Sequence, residues 1–175
     1  MNFLLQEMPK DRVEELESRI ENNSKQLDSI VNSIIKPYCE DLDEYVLFVK
    51  DLLKDGENPP TTQELEDVCL NLSTRIYFAS GMAEYLGIRD DIAKAVYKEI
   101  YNASRNSLTK GTVADKDSIA ALHSQEEAII SAAYTRSYKI MKAKVENAQE
   151  LLGSAKKVLS HRIQEESLTN LNGGR

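Results

Sequence analysis

Between Ala114 and Gln164 the chain contains no proline and a single glycine, Gly153. A stretch of that length without turn residues does not suit a β-sheet, whose hairpins and crossovers need a breaker every few positions. It predicts one very long C-terminal helix. Tyr134, Tyr138, Met141, Val145, Ala148, Leu152, Ala155 and Leu159 recur at intervals of four and three, the spacing of coiled-coil-like packing. Ala133, Ile140, Leu151 and Val158 form a second stripe beside the first. The apolar face is therefore wide enough for two neighbours. A helix of about fifty residues is roughly 75 Å long, against about 35–40 Å for the diameter of a compact domain of this size. An intramolecular bundle would use the same face, but unless the helix bends part of it has to project, so the expectation is a homo-oligomer. Its contact seam would be Tyr138, Met141, Val145, Ala148, Leu152, Ala155 and Leu159.

The remaining pattern is also helical. Val13, Leu16, Ile20, Asn23, Leu27, Ile30 and Ile34 form a heptad seam with one polar member, and Pro37 is expected to kink or end that helix. Residues 40–54 predict a second helix. Asp55-Gly56-Glu57-Asn58-Pro59-Pro60 is a loop, and Thr61-Thr62-Gln63-Glu64 reads as a capping box. A third helix is expected to close at Gly87, a fourth to run over 90–104, and a turn to occupy 105–113. The 7 Gly and 4 Pro of the 175 residues agree with an all-α chain. The expected organisation is an acidic helical arm (1–58), a helical core with the long C-terminal helix (59–164) and a disordered polar tail (165–175).

Charge divides the chain. Residues 1–100 hold 11 Lys+Arg against 21 Asp+Glu; residues 101–175 hold 11 against 8. The overall charge of −7 argues against coating duplex DNA by bulk charge, while the basic second half leaves room for a local polyanion site. No apolar run approaches the roughly 20 residues needed to span a bilayer, and Met1–Glu7 lacks the layout of a signal peptide. The expectation is a cytoplasmic protein with no membrane partner.

Motifs for catalysis are missing. Lys110-Gly111-Thr112 has no glycine at P-loop spacing before it, and there is no HExxH, nucleophile elbow or CxxC. His123 and His161 stand apart, and Cys39 and Cys69 are about thirty residues from each other. Paired acids such as Asp90-Asp91 and Glu126-Glu127 are adjacent on a helix and point in different directions. No catalytic residue, metal ligand or cofactor is expected, and the chain reads as a non-enzyme.

Lys94, Lys98, Arg105, Lys110 and Lys116 surround the turn at 105–113, with Tyr97 and Tyr101 among them. Cations neutralise phosphates and flat rings stack on unpaired bases, which is what a single strand requires. The two tyrosines equally fit the apolar face of their helix. A second basic group, Arg136, Lys139, Lys142, Lys144, Lys156, Lys157 and Arg162, spreads around a polar arc and reads as a solvated face.

The helical pair, the turn after Ala103-Ser104-Arg105, and the long helix with Tyr134, Tyr138, Leu151-Leu152 and Ser154-Ala155-Lys156-Lys157 resemble the phage recombination mediators of the UvsY type over roughly residues 65–163, and Gly111-Thr112-Val113-Ala114-Asp115-Lys116 resembles a segment of small phage proteins. The resemblance implies an all-helical ring assembled through C-terminal helices. It implies binding of single-stranded DNA without catalysis, and help for a RecA-like recombinase in replacing the single-strand-binding protein. That family carries a basic pair at the end of the helix before the turn. The nearest match here is Lys98, followed by Glu99 and Ile100, so Lys94, Arg105 and Lys110 would have to substitute. The expected function is a mediator whose partners are itself, single-stranded DNA and a recombinase or single-strand-binding protein. The alternative is a phage-type acidic interaction protein, an anti-defence inhibitor or assembly factor, using Asp41, Asp43, Glu44, Asp51, Asp55 and Glu57 against a basic partner protein.

Overall fold

The computed structural model describes residues 10–54 and 58–172. These form four helices, α1 (Lys10–Lys54), α2 (Thr62–Ser107), α3 (Val113–His123) and α4 (Gln125–Asn172). The fold is an all-α bundle, as expected, but of four helices where five were expected. Asp55, Gly56 and Glu57 of the expected loop, the first nine residues and the last three lie outside the described residues.

The helix starts follow their capping chemistry. At α2 the Thr61 hydroxyl accepts from the Glu64 backbone N–H at 3.2 Å, and the Glu64 carboxylate accepts from the Thr61 N–H at 2.8 Å. Pro60 before the cap and Leu65 in the first turn are both buried, the two positions of a hydrophobic staple. Thr112 and Asp115 repeat the capping box at α3. The turn between them is shorter than 105–113: α2 continues to Ser107, Leu108 caps it, and Gly111 supplies the left-handed φ of 107° that side-chain-bearing residues avoid.

Three expected breaks move. Pro37, expected to kink or end its helix, does not end it and sits inside α1. Its ring is exposed, and Val31, Ile35, Cys39 and Leu42 keep one buried face on both sides of it. Packing thus outweighs the one hydrogen bond that proline removes. Gly87 does not end a helix either, since Ala79, Ala83, Leu86 and Asp90 carry the buried stripe of α2 straight through it. The single helix expected from Ala114 is instead interrupted at Ser124. The Ser124 backbone N–H and hydroxyl both turn to the Ala120 carbonyl, at 3.1 and 2.9 Å. What remains, α4, has 48 residues beside the 45 of α1 and the 46 of α2. The C-terminal helix is therefore one of three similar rods, not a markedly longer one. It includes residues 165–172, where a disordered tail was expected.

α1 is antiparallel to α2: Asp41 and Tyr45 both meet Arg75, while Val49 packs with Val68. α2 is antiparallel to α4, joined by Thr62 to Glu166 at one end and by Asp90 to Thr135 further along. α3 packs chiefly on the end of α2. The main core combines Val31, Ile35, Cys39 and Leu42 of α1 with Leu72, Ile76 and Leu86 of α2 and Met141, Val145 and Ala148 of α4. A smaller cluster joins Val49, Val68 and Ala155. Each fully buried Leu or Met side chain contributes about 1.5–3 kcal/mol.

The sequence seams are redistributed accordingly. On α1, Ile20 and Ile30 are exposed, whereas Leu27 and Ile34 pack against the core. The α4 seam faces inward: Met141, Val145, Ala148 and Ala155 are buried, and Tyr138, Leu152 and Leu159 are half-buried. Within one chain its central members are already covered by α1 and α2.

Candidate nucleic-acid interface

The five expected DNA-binding cations divide into two kinds. Lys94, Lys98 and Arg105 lie on α2, Lys110 in the following turn and Lys116 in the first turn of α3. The intervals of four and seven place the first three on one stripe. Yet the Lys94 ammonium sits 2.7 Å from Asp90, and Arg105 Nε sits 2.5 Å from Asp117. The hydrogen bond to each carboxylate raises the pKa of each cation above its ordinary value. Lys94 thus pairs within α2, and Arg105 joins α2 to α3. Lys98 and Lys110 are exposed and Lys116 is half-buried; among the described residues none of the three has a carboxylate in ion-pair reach.

Tyr97 and Tyr101 are half-buried, their ring centres 6.2 Å apart and tilted by 49°. The Tyr101 hydroxyl is turned towards Asp117, and burial followed by that carboxylate pushes its pKa up. Tyr97 points elsewhere. It lines a groove of about 520 Å³ together with Leu27 of α1 and Ser131, Thr135, Arg136 and Lys139 of α4. Arg136 and Lys139 are exposed along its wall.

Sequence reasoning missed this juxtaposition. Arg136 and Lys139 belong to the basic arc read as a solvated face, and nothing in their own spacing separates them from Lys142 or Lys156. Antiparallel pairing of α2 with α4 brings them to the level of Tyr97. Only the register of that pairing, fixed by Asp90 on Thr135, could have selected them.

Asp90 is the hinge of this arrangement. It is 4% exposed, accepts from Thr135 at 2.5 Å and from Lys94 at 2.7 Å, and feels the charge of Lys139. Burial pushes its pKa up, but the bonds from Lys94 and Thr135 and the two ammonium charges outweigh it, so the carboxyl lies below its ordinary value. The Asp90 charge thereby offsets part of the repulsion between Lys94 and Lys139, which both act on it.

The acidic surface of the alternative expectation is also partly spent inside the chain. Asp41 pairs with Arg75 at 3.2 Å, and Asp43 pairs with Lys144 at 2.6 Å. Glu44 and Asp51 remain exposed, while Asp55 and Glu57 lie outside the described residues. His123 Nδ1 is 3.0 Å from the Ser104 hydroxyl and ties α3 to α2. Among the described residues no three of His, Cys, Asp and Glu cluster to hold a metal ion, and no helix is long and apolar enough to cross a membrane.

No family model, curated protein or solved structure matches the chain.

Proposed function

We propose that this protein is a non-enzymatic mediator that binds single-stranded DNA in the groove at Tyr97 and hands the strand between DNA-binding proteins. The observation that carries this is the meeting of an aromatic wall, Tyr97, with Arg136 and Lys139 across a groove open to solvent. A single strand offers what such a groove takes: an unpaired base against the ring and phosphates against the cations. Lys98, one turn from Lys94, extends the charge towards the α2–α3 turn, where Lys110 and Lys116 follow. The resemblance to mediators of the UvsY type supplies the biological class, with a RecA-like recombinase and a single-strand-binding protein as partners. In that role the chain contributes binding and orientation and performs no bond chemistry.

The test is a fluorescence-anisotropy titration with a labelled single-stranded oligonucleotide at low and moderate salt. Binding should tolerate sequence changes and weaken steeply with salt, because each neutralised phosphate releases counterions. Absence of binding at low salt overturns the proposal.

A second function is favoured by one patch on α1. Leu47 and Phe48 are 60% and 53% exposed, between the exposed acids Glu44 and Asp51. Acids rimming exposed apolar side chains suit a basic protein partner. Retention of the chain by a basic protein surface, with no affinity for oligonucleotide, would put this function first.

A further inference from the structure

The side of α2 turned away from its core stripe carries a second apolar stripe that no other described residue covers. Phe78, Met82, Tyr85, Ile92 and Val96 are 62%, 39%, 42%, 58% and 42% exposed. With half-buried Arg89 between Tyr85 and Ile92, they recur at intervals of four, three, four, three and four. That is a coiled-coil seam, in addition to the buried stripe that α2 uses for its own core. Ile88 and Ile130 beside it are 59% and 51% exposed. With large side chains offering about 150–250 Å² each, these fractions amount to roughly 600 Å² per chain. A monomer seldom exposes a larger patch than that, and a stable dimer interface buries about 800 Å² per partner. The stripe supplies most of what such an interface needs.

The order of the residues selects the occupant. The intervals read the same in both directions about Gly87. Two antiparallel copies related by a two-fold axis at Gly87 therefore set Phe78 against Val96, Met82 against Ile92 and Tyr85 against Arg89. Every apolar position meets an apolar one, and the one cation meets an aromatic ring. That last pairing is already made once within the chain: the Arg89 guanidinium lies 4.7 Å above the Tyr85 ring and donates to its hydroxyl at 2.7 Å. Parallel pairing would instead set Arg89 against Arg89 at the centre of the seam.

The surface offers a receptor for the largest knob. A groove of about 350 Å³ opens between α2 and α4, bounded by Ile92 and Val96 on one side and Ile130 and Tyr134 on the other. It lies where Phe78 of the second copy would arrive. One wall is Glu127, whose Oε2 is buried without a hydrogen-bond partner among the described residues.

We infer that the outer face of α2 is a self-association surface, on which a second copy of this chain packs antiparallel about a two-fold axis that crosses that face at the level of Gly87, between Tyr85 and Arg89. The surface differs from the α4 seam suggested by sequence, and it stands whether or not the chain binds nucleic acid.

Sedimentation equilibrium of the full chain tests the surface. The native mass should be twice 19.7 kDa or an even multiple of that. Phe78→Glu with Ile92→Glu should halve the mass while the helical circular dichroism is unchanged, because both side chains are exposed in the single chain. The register has its own test, in a Cys39→Ala, Cys69→Ser background. Met82→Cys with Ile92→Cys should give a covalent dimer under mild oxidation, whereas Met82→Cys with Val96→Cys, one turn out of register, should not. A monomeric chain at about 100 μM overturns the inference, as does a dimer that survives the two glutamates. Cross-linking only in the shifted pair overturns the antiparallel register.

Discussion

The ring of Tyr138 lies 3.2 Å from the point where a Cβ on Gly87 would stand. At Gly87, therefore, a ring of α4 packs directly on the backbone of α2, and the value of the glycine lies in the missing side chain rather than in an unusual backbone angle. Gly87→Ala gains about 0.5–1 kcal/mol of helix propensity. It also pushes a methyl into a half-buried ring packed against the main core, and overpacking of this kind costs about 1–3 kcal/mol. The net expectation is a loss of about 1 kcal/mol. Gly153→Ala is the control: nothing stands within 4 Å of its added Cβ, so the propensity gain appears undiminished. Urea denaturation midpoints should move in opposite directions for the two variants.

That contrast marks how far the sequence could be read. The all-α class, the Thr61–Glu64 capping box and the presence of a turn after residue 105 were legible, because local chemistry decides them. The helix end at Gly87 and the unbroken helix from Ala114 were misjudged, and Pro37 does not end its helix, because these outcomes are decided by packing. An apolar stripe that continues across a proline or a glycine overrides the local breaker, and a buried serine can interrupt a helix that has no breaker at all. The seam on α4 was legible as a seam, but its partners were not. Spacing shows that a face is apolar, and only the other helices show whether it is already covered. Lys94 and Arg105 were legible as cations near a turn, yet their carboxylate partners make them structural. Arg136 and Lys139 could not be singled out, since interhelix register is invisible in one chain's periodicity.

Asp90 should link stability to acid pH. Its folded pKa is depressed, so its contribution is present above the ordinary carboxylate value near 4. That contribution is lost as pH falls through the folded value. Asp90→Asn keeps the shape but weakens acceptance from Lys94 and Thr135 in a buried place, which costs about 1–3 kcal/mol at neutral pH. As pH falls through the depressed folded value the gap between the two proteins should narrow, because the wild-type carboxyl then becomes protonated as well. Thermal melts from pH 7 downwards through the acid range follow the gap. A gap that is constant across this range would mean that the Asp90 charge is irrelevant to α2–α4 pairing.

The two cysteines should differ in reactivity. Cys39 is 4% exposed, and burial, with the neighbouring Asp43 carboxylate adding to it, pushes its thiol up to about 11. Since the thiolate is the reactive form, almost none is present at pH 8. Cys69 is half-buried; burial raises it too, and Lys156 works in the opposite direction. Titration with an aromatic disulfide reagent at pH 8 should modify Cys69 first and reach Cys39 only when urea opens the bundle. Cys69→Ser should remove the early phase, and Cys39→Ala should leave it in place.

Arg105 and the pair Arg136 and Lys139 separate folding from strand binding. Arg105 is bound to Asp117 at the junction of α2 and α3, so Arg105→Ala should loosen that junction and lower the melting temperature. Its charge is already balanced, so the loss should scarcely alter the dependence of strand affinity on salt. Arg136→Ala with Lys139→Ala should do the reverse. Neither side chain is buried, so the fold tolerates the change, while two phosphate contacts disappear. For a single strand each contact contributes about 0.7 to the slope of log affinity against log salt, so the double variant should flatten that slope by roughly 1.4. Tyr97→Leu should weaken binding by about 1–3 kcal/mol, the range for one stacked base, and leave the slope unchanged, because stacking releases no counterions. Measured together, the three variants assign charge and stacking to separate residues of one groove. If Arg105→Ala flattened the slope as much as the double variant, the strand would run over the α2–α3 turn instead of through the groove.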